Sequence, residues 1–345
     1  MISARTAARM RRNPARIRIL LACLAVLVCA MVVDVSSGAA HIGMTDLVRI
    51  LLQPPDFSQP EHFIVWNLRL PQALMAVLAG AALGLAGAEM QTVLDNPLAS
   101  PFTLGVSSAG AFGAALALIF DVQIPGLPGG YSLAANAFLM ALLCSLLLDS
   151  MAKRLSLAQQ GIVLMGIALV FGFNALLALI QLVSDAAALQ DLLYWMMGSL
   201  GRARWSDIAL LAVVLSLAAA SSAIHVWKLN ALRFGDERAS SFGIDTGRAR
   251  RWSLLRISML AGTVVALVGV IGFVGLVAPH IARRLWGEDH RWYLPGSACT
   301  GALILLGASA TAKMLSVQVE IPAGIVTTLV GIPFFLYVLS RRKSW

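Results

Sequence analysis

The chain has 345 residues, of which 59% are hydrophobic and only 12% charged, with a formal net charge of +9. A mean hydropathy of +0.82 excludes an ordinary soluble domain and marks a polytopic membrane protein. The positive charge does not indicate nucleic-acid binding, because it lies in short clusters between apolar runs. Arg5, Arg9, Arg11, Arg12, Arg16 and Arg18 open the chain, and Arg341, Arg342 and Lys343 close it. By the positive-inside rule these are topology signals, so the basic tail 1–16 and the tail 341–345 are both expected in the cytoplasm. Cys23, Cys29, Cys144 and Cys299 lie within apolar runs and act as small hydrophobes, with no disulfide framework or metal-ligand spacing.

The first apolar run, Ile17 to Val33, is read as a retained first helix, although a basic segment before it and small residues after it also fit a signal peptide. Residues 38 to 66 read as an external segment in which His41 and His62 are solvated. The second run, Ala73 to Leu94, carries Gly80, Gly84 and Gly87, small residues that let helix backbones approach closely in lipid. Near its cytoplasmic end stands Glu89, either an intramembrane functional carboxylate or a partnered or snorkelling one. Next comes a turn, Asp95 to Pro101, in which Ser100 is placed to cap a following helix and Pro101 to open it. Further runs are Leu104 to Phe120, Leu133 to Leu148, Ile162 to Val183 and Ile208 to Val226, with a short interfacial piece at Leu192 to Leu200.

The longest inside loop, 227–252, holds charges of both signs; Ala231 to Phe242 is expected to form a short amphipathic helix ended by Gly243, and Thr246 to Trp252 to start another. Two short helices joined by a glycine fit a docking element for a cytoplasmic partner. Ile257 to Ala282 follows, 26 uncharged residues flanked by arginines on both sides. At about 1.5 Å per residue one unbroken helix would overshoot a roughly 30 Å hydrocarbon core, and it would put arginines on both faces. The segment is therefore read as an inserted hairpin broken near Gly269, Gly272 and Gly275, its bend buried among other helices; a single kinked helix is the alternative. With Leu294 to Leu315 and Ile321 to Leu339, the split gives ten crossings, the even number that two cytoplasmic ends require.

Catalytic chemistry is absent from the pattern. No Gly-Lys-Ser/Thr occurs, so the chain cannot hydrolyse ATP through a P-loop. His225 and His280 stand alone, and no nucleophile with a base or pair of acids assembles.

The residues do resemble a family. Arg69-Leu70-Pro71, Gly80 through Gly87, Gln91, Asn96-Pro97-Leu98-Ala99-Ser100-Pro101 and Leu104-Gly105-Val106-Ser107-Ser108 are similar to the FecCD-type permease subunits of iron–siderophore, haem and cobalamin ABC importers. Trp195 to Leu200, Ile271 to Arg283 and Glu320 to Phe335 follow in the family's order, and the resemblance spans about Leu51 to Arg342. It implies an all-α type II ABC importer permease fold of about ten transmembrane helices, one permease domain over 17–340, in the cell inner membrane. It also implies a second permease subunit, a cytoplasmic ATPase dimer that alone hydrolyses ATP, a periplasmic or lipid-anchored binding protein, and neither cofactor nor metal in this chain.

Carried over by position, the ATPase-coupling residues are Gly235, Glu237, Arg238, Ala239 and Gly243, and the translocation gate falls at Leu157 and Ala158. Arg69 and Lys313 take the place of charges that dock the binding protein at the outer surface. Gln72, Lys313 and Ser309 depart from the family's usual arginine, arginine and aspartate. The expected cargo is a ferric siderophore, with haem or cobalamin as runner-up. An ion-coupled secondary transporter would need a midplane carboxylate, for which Glu89 is the one candidate; a membrane-embedded enzyme is the third reading.

Overall fold

The computed structural model describes residues 14–38, 42–127, 129–155, 157, 159–316 and 321–340. In chain order the helices are α1 Pro14–Ser36, α2 Met44–Leu52, α3 Pro60–Val93, α4 Val106–Ile119, α5 Gly129–Arg154, α6 Gln159–Leu182 and α7 Ala186–Met196. They continue with α8 Trp205–Ile224, α9 Val226–Leu232, α10 Asp236–Ser241, α11 Thr246–Val268, α12 Val274–Trp286, α13 His290–Leu315 and α14 Ala323–Ser340. Seven of them (α1, α3, α5, α6, α8, α11 and α13) are long and apolar enough to cross a membrane. The shorter α4 and α14 are apolar as well, and α12 is the returning arm formed where 257–282 is split, so the described residues hold seven helices of spanning length and shorter membrane-type pieces beside them.

The bundle is built around α3, 78% of whose apolar window is buried, against 11% for α1. Gly80, Gly84 and Gly87 recur at spacings of four and three and therefore share one face of α3. A Cβ at Gly80 would lie 2.7 Å from the Gly301 carbonyl carbon, one at Gly84 2.9 Å from that of Ser297, and one at Gly87 2.6 Å from that of Gly275. The face thus meets bare backbone of α13 and α12, and no larger residue fits without separating the helices. Near its N-terminal start α3 is wound as a π-helix over Ile64–Arg69. Pro71 follows two residues on, and the wider turn relieves the clash of its ring with the preceding carbonyls.

The uncharged segment breaks where glycine permits. Helix α11 ends at Gly269 (φ 77°), and Phe273 (φ 65°) opens α12 in the left-handed conformation that a bulky residue rarely adopts. The bend is wrapped by the turn at 195–198 and the start of α14: Cβ atoms at Gly269, Gly198 and Gly324 would each press on main-chain atoms of Trp195, Val270 or Met197. Val268, Ile271 and Val274 are buried. Both arms pack on α3 and end at the same end of the bundle. There Arg250 at the start of α11 donates to the Val93 carbonyl at 3.4 Å, and the turn after α12 meets the loop element described below.

Three sequence expectations are corrected. The external segment 38 to 66 contains the amphipathic helix α2, which buries Leu47 and Ile50, and the first turns of α3. His62 is buried, and its Nδ1 accepts the Asp56 amide at 3.2 Å; His41 lies outside the described residues. Ser100 does not cap a helix starting at Pro101: it exchanges hydrogen bonds with Thr103 in a turn, and α4 begins only after Gly105 at φ 84°.

The glycine face makes a graded prediction. Gly84→Val forces a side chain into backbone and should cost about 1–3 kcal/mol, read as a lowered thermal midpoint in detergent. Gly307→Ala on α13, where a Cβ meets nothing within 4 Å, should leave the midpoint unchanged.

Candidate functional site

At the end where both hairpin arms emerge, the chain between α8 and α11 folds into two short helices, α9 and α10, separated by Gly235 at φ 88°. Gly243 at φ 79° closes the element, and Asp245 caps α11 by accepting the Arg248 amide at 2.8 Å. The expected single helix over Ala231 to Phe242 is therefore corrected: Gly235 breaks it, because only glycine enters that backbone region without strain. Ala239 is fully buried beneath α10, while Glu237 and Arg238 point outward and are exposed.

The element is anchored firmly. Arg250 holds Asp236 with contacts of 3.1 and 2.9 Å, and Arg233 pairs with Glu288 in the turn after α12. Asn230 donates to Asp289 at 3.1 Å and accepts the His290 amide at 3.0 Å. The element is thus tied to the ends of α3, α11, α12 and α13 together.

Directly beneath lies a buried ion pair. The Glu89 carboxylate of α3, 1% exposed, accepts from Arg256 Nη2 at 2.7 Å and Nε at 3.1 Å. The Ser222 hydroxyl of α8 also donates to Glu89, and Ser253 and Ser221 accept from Arg256 at 2.9 and 3.5 Å. Three helices meet in this network. A cavity of about 740 Å³ reaches it from the element side, lined by Ser221, Lys228, Phe242, Arg248, Ser253 and Arg256 among others. Glu89 is therefore the partnered carboxylate of the two readings; its partner was placed among the arginines flanking the membrane segment, whereas α11 starts at Thr246 and carries Arg256 well inside.

The opposite end holds a second buried charge cluster. Asp34 of α1, fully buried, accepts Lys313 Nζ of α13 at 2.6 Å. Arg69 of α3, 6% exposed, donates to the Val35 and Ser36 carbonyls at 3.0 and 3.1 Å. The structure does bring Arg69 and Lys313 to one end of the bundle. Their expected exposure as rim charges is corrected, because both are turned inward onto the end of α1. Leu157 lies in the turn between α5 and α6, its amide bonded to the Ala152 carbonyl at 2.9 Å, and Ala158 lies outside the described residues. Among the described residues no group of three His, Cys, Asp or Glu is placed to hold a metal ion.

The model of the FecCD transport family matches residues 26–341 of this chain. The chain belongs to the FecCD transport family. Its relatives include the Fe(3+)-citrate import system permease protein YfmE of Bacillus subtilis (strain 168), 37% identical over 91% of this chain and 92% of that one. The vitamin B12 import system permease protein BtuC of Serratia proteamaculans (strain 568) is 38% identical over 86% and 87%. A solved structure, described as an inward-facing conformation of a metal-chelate type ABC transporter, superposes with a TM-score of 0.81 at 28% identity, covering 94% of this chain and all but 1% of its own. The chain is accordingly a multi-pass permease subunit of an ABC importer, without enzymatic activity of its own.

For this FecCD permease the pair of Glu89 and Arg256 was the residue set that sequence reasoning missed. No local signal marked the pair: Glu89 lies one turn before the C-terminal end of α3, and Arg256 is one of four arginines on α11, ten residues after its start. Arg256→Met leaves a carboxylate buried without its cation and should destabilise the fold by about 3–5 kcal/mol, whereas adding Glu89→Gln should recover most of that loss. Thermal unfolding of the two variants in one detergent checks both outcomes.

Proposed function

We propose that this FecCD permease carries a ferric siderophore across the cell inner membrane by alternating access, with both termini and the α9–α10 element on the cytoplasmic side. A separate ATPase dimer binds that element, and a second permease subunit, of this chain or a close relative, completes the path. A periplasmic or lipid-anchored binding protein delivers the cargo. The orientation rests on the positive-inside rule: Arg16, the arginines of 248–256 and Arg283 and Arg284 gather at the α9–α10 end, and the sequence adds basic residues in both tails.

The observation that carries the reading is the α9–α10 element: exposed Glu237 and Arg238 stand on a glycine-bounded platform whose inner side is tied to four membrane helices. Such a platform transmits a mechanical input, which a subunit lacking its own nucleotide site requires. Gly235 and Gly243 set its shape, Ala239 its seat, and Leu157 with Ala158 the proposed inner gate in the turn before α6. The secondary-transporter alternative loses support, because Glu89 is held by Arg256 rather than left to bind a coupling ion.

The ferric-siderophore assignment draws on the iron-chelate relative. Haem and cobalamin stay as the second reading, since a cobalamin permease is as similar in sequence as the ferric citrate one. At the outer end we propose that Arg69 and Lys313 serve the binding protein indirectly, by fixing the end of α1 against α3 and α13 where it lands.

Glu237→Arg reverses an exposed charge at the proposed ATPase contact without touching the buried anchors. It should lower both transport and stimulated ATP hydrolysis while membrane expression stays near wild type. Stimulation equal to wild type in the purified complex would reduce α10 to a solvated surface.

A further inference from the structure

Helices α1 and α8 stand side by side without closing on each other: α1 packs chiefly on α13 and α8 on α3 and α11. Between them lies a slot of about 920 Å³ whose floor is α3 and α13. Its walls are apolar, with Leu20, Leu24 and Leu27 on one side and Leu215, Ala219 and Ala223 on the other. Small floor residues, Ala81, Ala298 and Ala302, keep it open. Along α13 it extends from Arg291 to Ala302, about 16 Å at 1.5 Å per residue. A bilayer leaflet contributes about half of a ~30 Å hydrocarbon core, so the slot is one leaflet deep.

The mouth differs from the rest. Arg291 and the 66%-exposed Trp227 flank it at the α9–α10 end, and Arg16 lies one turn, and Arg18 two residues, before Leu20 on α1. The nearby carboxylates are engaged: Glu288 pairs with Arg233, and Asp289 accepts the Arg291 amide and the Asn230 side chain, both at 3.1 Å. Among the described residues no carboxylate pairs with the Arg291 side chain. A cation and an indole at interfacial height above a leaflet-deep apolar slot match the two halves of a phospholipid.

We infer that the slot between α1 and α8 is a binding site for one anionic phospholipid of the leaflet on the α9–α10 side, an acyl chain filling the slot and the phosphate headgroup on Arg291. The lipid replaces the missing side-chain contacts between α1 and α8. It also touches Trp227 at the root of the α9–α10 element, so its occupancy stiffens the part of the permease that receives the ATPase.

The test is native mass spectrometry of the full-length permease released from nanodiscs of equal phosphatidylethanolamine and phosphatidylglycerol. Wild type should retain one phospholipid after the loosely held lipids are stripped, with phosphatidylglycerol favoured by about fivefold, the preference that one interfacial arginine confers. Ala219→Phe and Ala223→Phe, both at exposed positions of α8, plug the slot from independent points and should each lose the retained lipid of either headgroup. Arg291→Glu leaves the slot open, so a lipid should be retained with its headgroup preference gone. Wild type stripped bare, or both phenylalanine variants retaining lipid like wild type, overturns the site. A phosphatidylglycerol preference that survives in Arg291→Glu overturns the headgroup assignment.

Discussion

The contact on which the bundle depends is backbone against backbone. One face of α3 consists of glycines lying directly on the main chains of α13 and α12, so the central helix has no side-chain spacer on that side. In lipid no hydrophobic force drives helices together, and close approach of this kind supplies the van der Waals contact that takes its place. The consequence is geometric. With α3 this close to α12, the returning arm of the hairpin is held within the bundle, and its irregular bend at 269–273 is screened from hydrocarbon, as an unpaired backbone requires.

Two buried charge clusters then fix the ends of the same helix. Asp34, Lys313 and Arg69 tie the first turns of α3 to α1 and α13, and Glu89 with Arg256 ties its C-terminal end to α11 and α8. Burying charges in a membrane protein is costly, and each cluster is tolerable because its ions are paired; serine hydroxyls complete the Glu89–Arg256 network, whereas Asp34 Oδ1 is left without a hydrogen bond. Neither cluster is an isolated intramembrane carboxylate of the sort that proton- or sodium-coupled carriers present. The cluster at Glu89 sits below the α9–α10 platform, between it and the central helix.

Much of this was legible in the chain itself. The membrane-spanning helices, the split at Gly269 to Phe273 and the glycine face of α3 follow from hydropathy, the placement of arginines and the spacing of small residues. What escaped was set by tertiary partners. Glu89 and Arg256 are 167 positions apart, and nothing local to either announces the other. Lys313 near a helix end reads as an exposed rim charge until Asp34, hidden within the last turn of α1, is placed beside it. The break of α9 from α10 at Gly235 was missed because the periodicity of Ala231 to Phe242 continues across it. The π-helical start of α3 likewise leaves no mark in hydropathy; only Pro71 hints at it.

The family, the absence of a nucleotide site and the anchored platform converge on a permease moved by another subunit's ATP. The most direct measurement is uptake of a ferric hydroxamate siderophore in cells expressing this permease with its ATPase and binding protein, comparing cells depleted of ATP with the proton gradient kept and cells with ATP and the gradient collapsed. The account predicts that uptake stops in the first condition and continues in the second. Uptake that persists without ATP while a gradient remains would contradict it and restore the ion-coupled carrier.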